Sequence, residues 1–543
     1  MRKALRPNPQ RRMVSSTIQV KAPVLGLTTE SPVNAPPGTA LIMTNWFPEV
    51  DRVRVRLGHI AHATDMLGDV STIMAYTSAS ASKMFAATDS DIFDVTDSGP
   101  VGTSAVSGLN NGMWQQIMFA TSGGQFLVIC NGADDVRIYN GTTWTTPVIT
   151  GAISSTFINL MNHQKRLWFV PVNSMTIYYL PVESIAGAAV AFPVGALFRK
   201  GGFVMALGTW TRDSGAGMDD LLTIVTSEGE VAVYQGIDPS SSTTWSLIGV
   251  FHMGKPIGRR CIIEVGGDLA ILTEDGVVPM SQAIQTEQGA IQSIALTRNI
   301  QQAFIAAVQR GGEVFGWQIL SFPKKNMAIL NIPAAGSQPT QQFPFNTLTG
   351  AWGGPFIGMN AICWGVFETS LYFGGTGAVY RAEYGASDNG EAIVAAMLPA
   401  FMDLKASGQL KMVHAVRPIF TTDITDLVPS IAIAVDYVTP TDISATEDIS
   451  QDHLFTWDES IWGGPDIWSG TRVTLAWRGN GNIGTVVSPY IFMSIDAEAS
   501  TDGDFTWDVS FWDGPDTWSS LPVTEFKFDL TAFDIVYERG GVI

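Results

Sequence analysis

One local pattern returns seven times along the chain: an apolar strand, a short polar turn, then a second strand rich in Val, Ile or Tyr. It reads "MFAATDSDIFDV" at 84–95, "LVICNGADDVRIYN" at 127–140, "LWFVPVNSMTIYYL" at 167–180 and "LTIVTSEGEVAVYQG" at 222–236. It continues as "LAILTEDGVVPMS" at 269–281, "WQILSFPKKNMAILNI" at 317–332 and "LYFGGTGAVYRAE" at 371–383. Successive copies start about 40 to 55 residues apart, the spacing of four-stranded propeller blades. "SEGE", "EDG" and "TGA" are turns that close a hairpin tightly. A lone hairpin cannot cover both of its faces, so copies must stack. The expected fold is all-β: a β-propeller of about seven blades, with six to eight allowed, over residues 22–390. Two β-sandwiches are the structural alternative, and no WD40 or Kelch signature marks the repeat.

Composition fits a chain with much buried surface. Of 543 residues, 46% are hydrophobic and 15% charged, and some of that apolar surface is expected between subunits. The net charge of −19 is unevenly placed. Residues 1–29 hold Arg2, Lys3, Arg6, Arg11, Arg12 and Lys21 and no acid, leaving 25 basic against 50 acidic residues elsewhere. The acidic body repels nucleic acid at long range. The basic arm, 1–21, is either a solvated tail or a contact for phosphate or an acidic partner. Cys130, Cys261 and Cys363 are widely spaced and form no CxxC pair, so neither a disulfide framework nor a zinc site is expected. No apolar h-region follows the basic N-terminus, so no secretory signal is expected. The longest apolar run, Ile185 to Phe198, is too short to span a bilayer and is expected to be a buried loop or strand pair.

A helix is predicted over 297–310. Ile300, Phe304 and Val308 form its stripe with Ala303 and Ala307 alongside, Thr297 caps it, and Gly311–Gly312 ends it. It reads as a packing insert or a subunit contact. After residue 390 the hairpin spacing fades and longer strands appear at 409–420, 430–438, 472–479, 488–498 and 524–538. Residues 391–543 are expected to form a separate β-sandwich-like domain.

That domain carries a tryptophan strip twice: "FTWDESIWGGPDIWSG" at 455–470 and "FTWDVSFWDGPDTWSS" at 505–520. Phe455 and Trp457 share a strand face by period two, Gly464–Pro465–Asp466 supplies a turn, and Trp462 and Trp468 return over the first pair. Phe505, Trp507, Trp512 and Trp518 repeat the arrangement around Gly514–Pro515–Asp516. Each strip starts in a near miss to the Asp-box of sialidase-like propellers, with Leu454 or Asp504 where that box has Gly. The strips read as structural hairpins stiffened by aromatic burial, as a contact face for a fibre or needle (Trp462, Trp468, Trp512, Trp518), or as a sugar-stacking platform.

Several segments resemble one family. "NWFPEVDRVRVRLG" (45–58) after "APPGTALIMT", "HQKRLWFVPVNSMTIYYLPVESIAG" (163–187) and the stretch from "FRKGGFVMALG" to "YQGIDP" (198–239) resemble the tail nozzle proteins of short-tailed bacteriophages. These podovirus proteins are also called tail tubular or packaged-DNA stabilisation proteins. "WSLIGVFHMGKPIGRR" (245–260) and "FNTLTGAWGGPFIGMNAICW" (345–364) share the likeness, which covers roughly residues 22–400. It implies a β-propeller standing in a homohexameric ring in the virion tail, assembled in the host cytoplasm. It also implies a tail adaptor on one side, a needle or fibre on the other, and double-stranded DNA passing through the lumen without sequence-specific binding. The basic arm and the 297–310 helix are the candidates for inter-subunit or adaptor contact.

Sequence patterns of catalysis are sparse. There are six histidines and no HExxH, GxSxG or Walker loop, and "WRGNGNIG" at 477–484 has glycines without a following helix. No catalytic, cofactor or metal residue is assigned, and a non-enzymatic structural role is expected. Asp134–Asp135 and Asp219–Asp220 are the carboxylate pairs a glycosidase could use, and Arg259–Arg260 is the prominent internal pair of cations. A sialidase- or glycosidase-like propeller, or a plain glycan-binding module, is the alternative, and an enzyme of that kind needs arginines and carboxylates clustered at one propeller mouth.

Overall fold

The computed structural model describes residues 15–213, 218–286, 288–422, 427, 429–440, 472–474, 478–479, 482–495 and 526–542. The chain divides into two compact units, Arg56–Glu391 and a discontinuous one from Met1–Val55 and Ala392–Ile543.

Arg56–Glu391 is a β-propeller of seven sheets, antiparallel except for a short parallel pair, Ala63↔Gly99 and Thr64↔Pro100, at the edge of one. Blades 1 to 4 open with the strands Thr72–Thr77, Gln115–Thr121, Phe157–His163 and Val204–Asp213, and each has four strands. Blades 5 and 6 open with Ile262–Val265 and Gln318–Phe322 and have three strands each. Blade 7 opens with Cys363–Phe367 and is completed by a strand from the other end of the unit, His59–Thr64, which pairs Ala63 with Val379 and His59 with Ala382. The opening strands neighbour one another in order, blade 5 meeting blade 4 through its middle strand Asp268–Thr273, and Cys363–Phe367 returns to Thr72–Thr77. The circuit closes, which removes most free sheet edges.

Each of the seven sequence hairpins supplies two adjacent strands of one blade. Strict apolar–polar alternation is missing from these strands because neighbouring blades cover both faces. All six residues of Met327–Ile332 are buried, for example. Between blades 1 and 2, Trp114, Phe85, Tyr139 and Leu127 share a core. Between blades 3 and 4, Trp168, Tyr179, Tyr234 and Trp245 do so, with Trp168 and Trp245 stacked at 5.9 Å.

The predicted boundary at residue 22 is corrected to Arg56. Ser15–Lys21, expected as part of a free arm, is a strand paired from Ser15↔Glu538 to Lys21↔Ala532. The hairpin of Trp46–Pro48 and Val53–Val55 joins the same long strand, Phe528–Val542, through Val53↔Leu530 and Arg54↔Asp529. Trp46 is buried edge-on against Phe528 at 5.7 Å. The expected 391–543 domain thus also contains the described residues before 56, because its strands are completed across some 500 positions of sequence. Its described residues form two antiparallel sheets. One is built on the Gln409–Thr422 and Phe528–Val542 pair, and the other runs Ala40–Thr44, Ile393–Pro399, Val487–Ile495, Ser430–Val435. The chain steps from one sheet to the other at Asn45, whose φ of 61° makes the corner and whose Nδ2 donates to Val394 O at 2.8 Å.

The predicted helix is displaced. The α-helix is Gln301–Gly311, preceded by the 3-10 turn Leu296–Ile300. Thr297 is buried and caps nothing. Its hydroxyl accepts the Val277 N–H at 3.3 Å, which holds the preceding turn against blade 5. Phe304, Ala307 and Gly311 face inward, with Phe304 edge-on to Trp317 at 6.0 Å, so this side of the insert packs within the propeller. Ile185–Phe198 is no buried pair either. It contains Val190–Pro193, the outermost strand of blade 3, where Val190 is 44% exposed.

Candidate functional site at the propeller axis

The opening strands surround an axial cavity of about 320 Å³. Its wall includes Thr72 and Ile73 of blade 1, Gln115 and Gln116 of blade 2, Asn159 and Met161 of blade 3, Leu207 of blade 4, Gln318 of blade 6 and Trp364 of blade 7. Most of the polar side chains here tie blades together. Gln116 accepts the Ala75 N–H at 3.1 Å and donates to Ile73 O at 2.8 Å. Asn159 Oδ1 accepts the Leu207 N–H at 3.1 Å. Gln318 accepts the Trp364 N–H at 3.0 Å and donates to Trp364 O at 2.9 Å. An amide side chain offers a donor and an acceptor, so it extends the backbone ladder between opening strands that do not pair.

Arg259 and Arg260 enter the cavity from the segment leading into blade 5. Arg260 Nη2 reaches blades 1 and 2, donating to Thr72 Oγ1 at 2.7 Å, Ser71 O at 3.1 Å and Trp114 O at 3.2 Å. Its guanidinium lies 5.1 Å from the Phe315 ring centre. Arg259 Nη1 donates to Asn131 O at 3.3 Å on blade 2. Neither has a carboxylate partner among the described residues. Burial holds both below the ordinary arginine range, opposed by Cys130 beside Arg259 and by Cys363 beside Arg260. The sequence pair therefore becomes a crosspiece from blade 5 to blades 1 and 2, a reach that no local pattern announces.

A second charged group lies where the propeller's two ends meet. Arg56 is fully buried and holds Asp388 through both terminal nitrogens, at 2.7 and 2.5 Å, while also donating to Leu57 O and Ile357 O. His59 Nδ1 lies 3.0 Å from Asp388 Oδ1, with its ring edge-on to Phe373 and Tyr380. Burial alone would raise the Asp388 carboxyl, but the hydrogen bonds from Arg56 and His59 hold it below the usual range. The arrangement lacks a nucleophile and ties residues 56–59 to 388, which makes it a structural clasp.

The carboxylate pairs a glycosidase could use form no ion pair with the arginines among the described residues; Asp134 and Asp135 are engaged in loop contacts and Asp220 in a cross-strand one. Asp134 accepts Asn110 and Asn131 side-chain N–H groups, each at 2.7 Å, and Asp135 accepts the Ser154 hydroxyl. Asp220 accepts the Thr211 hydroxyl at 2.8 Å, and the Asp219 side chain lies outside the described ones. Buried Glu230 is spent on the Arg199 and Lys200 backbone N–H groups. His163 is buried, with Nδ1 3.3 Å from Thr209 Oγ1 and Nε2 without a partner, and burial lowers its pKa to about 4. Cys130, Cys261 and Cys363 are free and buried. Among the described residues no group of three or more His, Cys, Asp or Glu could hold a metal, and no helix is long and apolar enough to cross a membrane. The candidate contact residues Arg2, Lys3, Arg6, Arg11, Arg12, Trp462, Trp468, Trp512 and Trp518 lie outside the described residues.

No family model and no curated protein matches the chain. Among solved structures it is similar to the extracellular domain of the one-component system BT4673 from B. thetaiotaomicron, at 10% identity and a TM-score of 0.36. That likeness covers 72% of this chain and 49% of that one, so the match spans about half the sensor's length. The computationally designed Ika8 protein (10% identity, TM-score 0.34) and YCF48 from Cyanidioschyzon merolae (10% identity, TM-score 0.27) are each covered almost entirely, at 99% and 98%, by 60% of this chain.

Proposed function

We infer that this protein is a structural component of a short-tailed bacteriophage tail, a nozzle subunit that assembles into a ring and conducts packaged DNA. The observation carrying this reading is the propeller itself. The resemblance over residues 22–400 implies that fold, and the strand pairing forms seven sheets of that kind. The axis of each propeller is crossed by Arg260 and narrowed to a cavity of small-molecule size. In this reading a duplex runs along the axis of the ring of copies, outside any single propeller. An acidic chain suits that role, because like charge keeps phosphates from sticking to the wall. The basic segment before residue 15 and the tryptophan strips then serve as contacts to adaptor, needle or fibre.

The reading is tested by imaging the intact particle along its tail axis. A sixfold ring of this chain below the portal is expected, and a location away from the exit conduit overturns the assignment. The glycosidase alternative draws on the Arg259–Arg260 pair, which has no carboxylate partner at the cavity among the described residues. Release of reducing ends from host polysaccharide by the purified protein would restore that alternative.

A further inference from the structure

We propose that the axial cavity of the propeller is a binding site for one small oxyanion of phosphate or carboxylate type, held between the unspent guanidinium donors of Arg259 and Arg260. The site is separate from any DNA path and does not depend on the nozzle reading.

A guanidinium carries five N–H donors in a rigid plane. Arg260 meets its three acceptors through Nη2 alone, so Nε and Nη1 have no protein partner among the described residues. Arg259 uses Nη1 alone, on a long 3.3 Å bond, so Nε and Nη2 are likewise unspent. None of these four nitrogens is a sealed atom lacking a partner, unlike Arg137 Nε and Arg166 Nε, so each keeps accessible surface. Both side chains line the cavity. Two cations thus line one partly desolvated cavity with no carboxylate paired to either among the described residues, a costly arrangement that an anion relieves.

The rest of the wall fits that ligand. Thr72, Gln116 and Gln318 are committed to the backbone and add no charge. Gln115 and the Asn159 amide nitrogen are neutral groups on the same wall. Glu264 is the one carboxylate in the lining; it is exposed and forms no ion pair with either arginine. The volume of about 320 Å³ is at the small end of ligand sites and suits an oxyanion with a short organic body. The planar donor edges of arginine match two oxygens of one phosphate or carboxylate group.

The test uses the full chain with inorganic phosphate as probe, at constant ionic strength set with chloride. Titration calorimetry is expected to give one saturable site per chain, and the melting temperature to rise by a few degrees once phosphate exceeds its Kd a hundredfold. Arg259→Gln is expected to weaken binding at least tenfold, and Glu264→Gln to tighten it severalfold. Circular dichroism checks that each variant is folded. No saturable binding by the wild-type chain overturns the proposal, as does equal affinity in folded Arg259→Gln. Should Arg259→Gln not fold, Glu264→Gln decides, and unchanged phosphate affinity there overturns the proposal.

Discussion

Arg56 and Asp388 are 332 positions apart in sequence and face each other through two parallel N–H···O bonds, both groups being shut off from solvent. A bidentate pair in such surroundings is geometrically specific, and it joins the first residue of the propeller to its last segment. Gly358 shows how tight the site is. With φ at +100°, a Cβ there would lie 2.3 Å from Asp388 Oδ2 and 2.9 Å from Arg56 Nη2.

Removing one partner leaves an uncompensated buried charge. Arg56→Leu or Asp388→Asn is expected to destabilise the propeller by about 3–5 kcal/mol. The double variant Arg56→Leu/Asp388→Leu is expected to lose less than the two single effects added together. Denaturant unfolding followed by tryptophan fluorescence measures all three, and strict additivity would count against the clasp.

The crosspiece at the axis makes a separate prediction. Arg260→Gln withdraws the donor shared by Ser71 O, Thr72 Oγ1 and Trp114 O. A loss of about 2–3 kcal/mol is expected in the same unfolding assay. Faster amide exchange should appear in Thr72–Thr77 and Gln115–Thr121, the strands it spans.

His163 gives a pH signature. Its folded pKa of about 4 lies below the ordinary 6.5, with burial as the cause. The unfolded chain therefore binds this proton more tightly, and stability contributed above pH 6.5 drains away as pH falls from 6.5 towards 4. The full effect is about 3 kcal/mol. A His163→Leu variant is expected to lack this part of the acid-side slope, as read from melts between pH 4 and 7. Asp388, with its lowered pKa, acts in a different window: its contribution is present above 3.8 and goes only as pH falls below that.

The three thiols are expected to be inert. Burial pushes Cys261 up to about 12 and Cys363 up to about 11, and raises Cys130 further. A thiol-exchange reagent at pH 8 should modify none of them in the native chain and all three once denaturant is added. Rapid reaction of any one in native buffer would contradict its placement.

The seven hairpins were legible because a strand–turn–strand unit is specified within about fifteen residues by turn chemistry and apolar runs. The closing strand His59–Thr64 was not, since its partner Val379–Ala382 is set by geometry around the whole circuit. In "DRVRVRLG" period two puts Arg52, Arg54 and Arg56 on one strand face, yet their partners differ. Arg52 and Arg54 meet Glu49, whereas Arg56 belongs to the propeller and is buried against Asp388. The pair Arg259–Arg260 stood out in sequence, but its acceptors Ser71, Thr72, Trp114 and Asn131 are more than a hundred positions away. Thr297 looked like a helix cap because the rule is local, and contact with blade 5 took its hydroxyl instead.

The pairing of Ser15–Lys21 with Phe528–Val542, some 500 positions later, has a consequence for synthesis. Ribosomes add about 5–20 residues per second, so the earlier strand leaves the exit tunnel roughly 25–100 s before its complement is made. Throughout that interval the propeller can complete itself from the nascent chain, but the terminal ribbon waits with an open edge. Premature stops after residue 391 should therefore release a finished ring of blades bearing an adhesive strand, the kind of product that chaperones or proteases clear first.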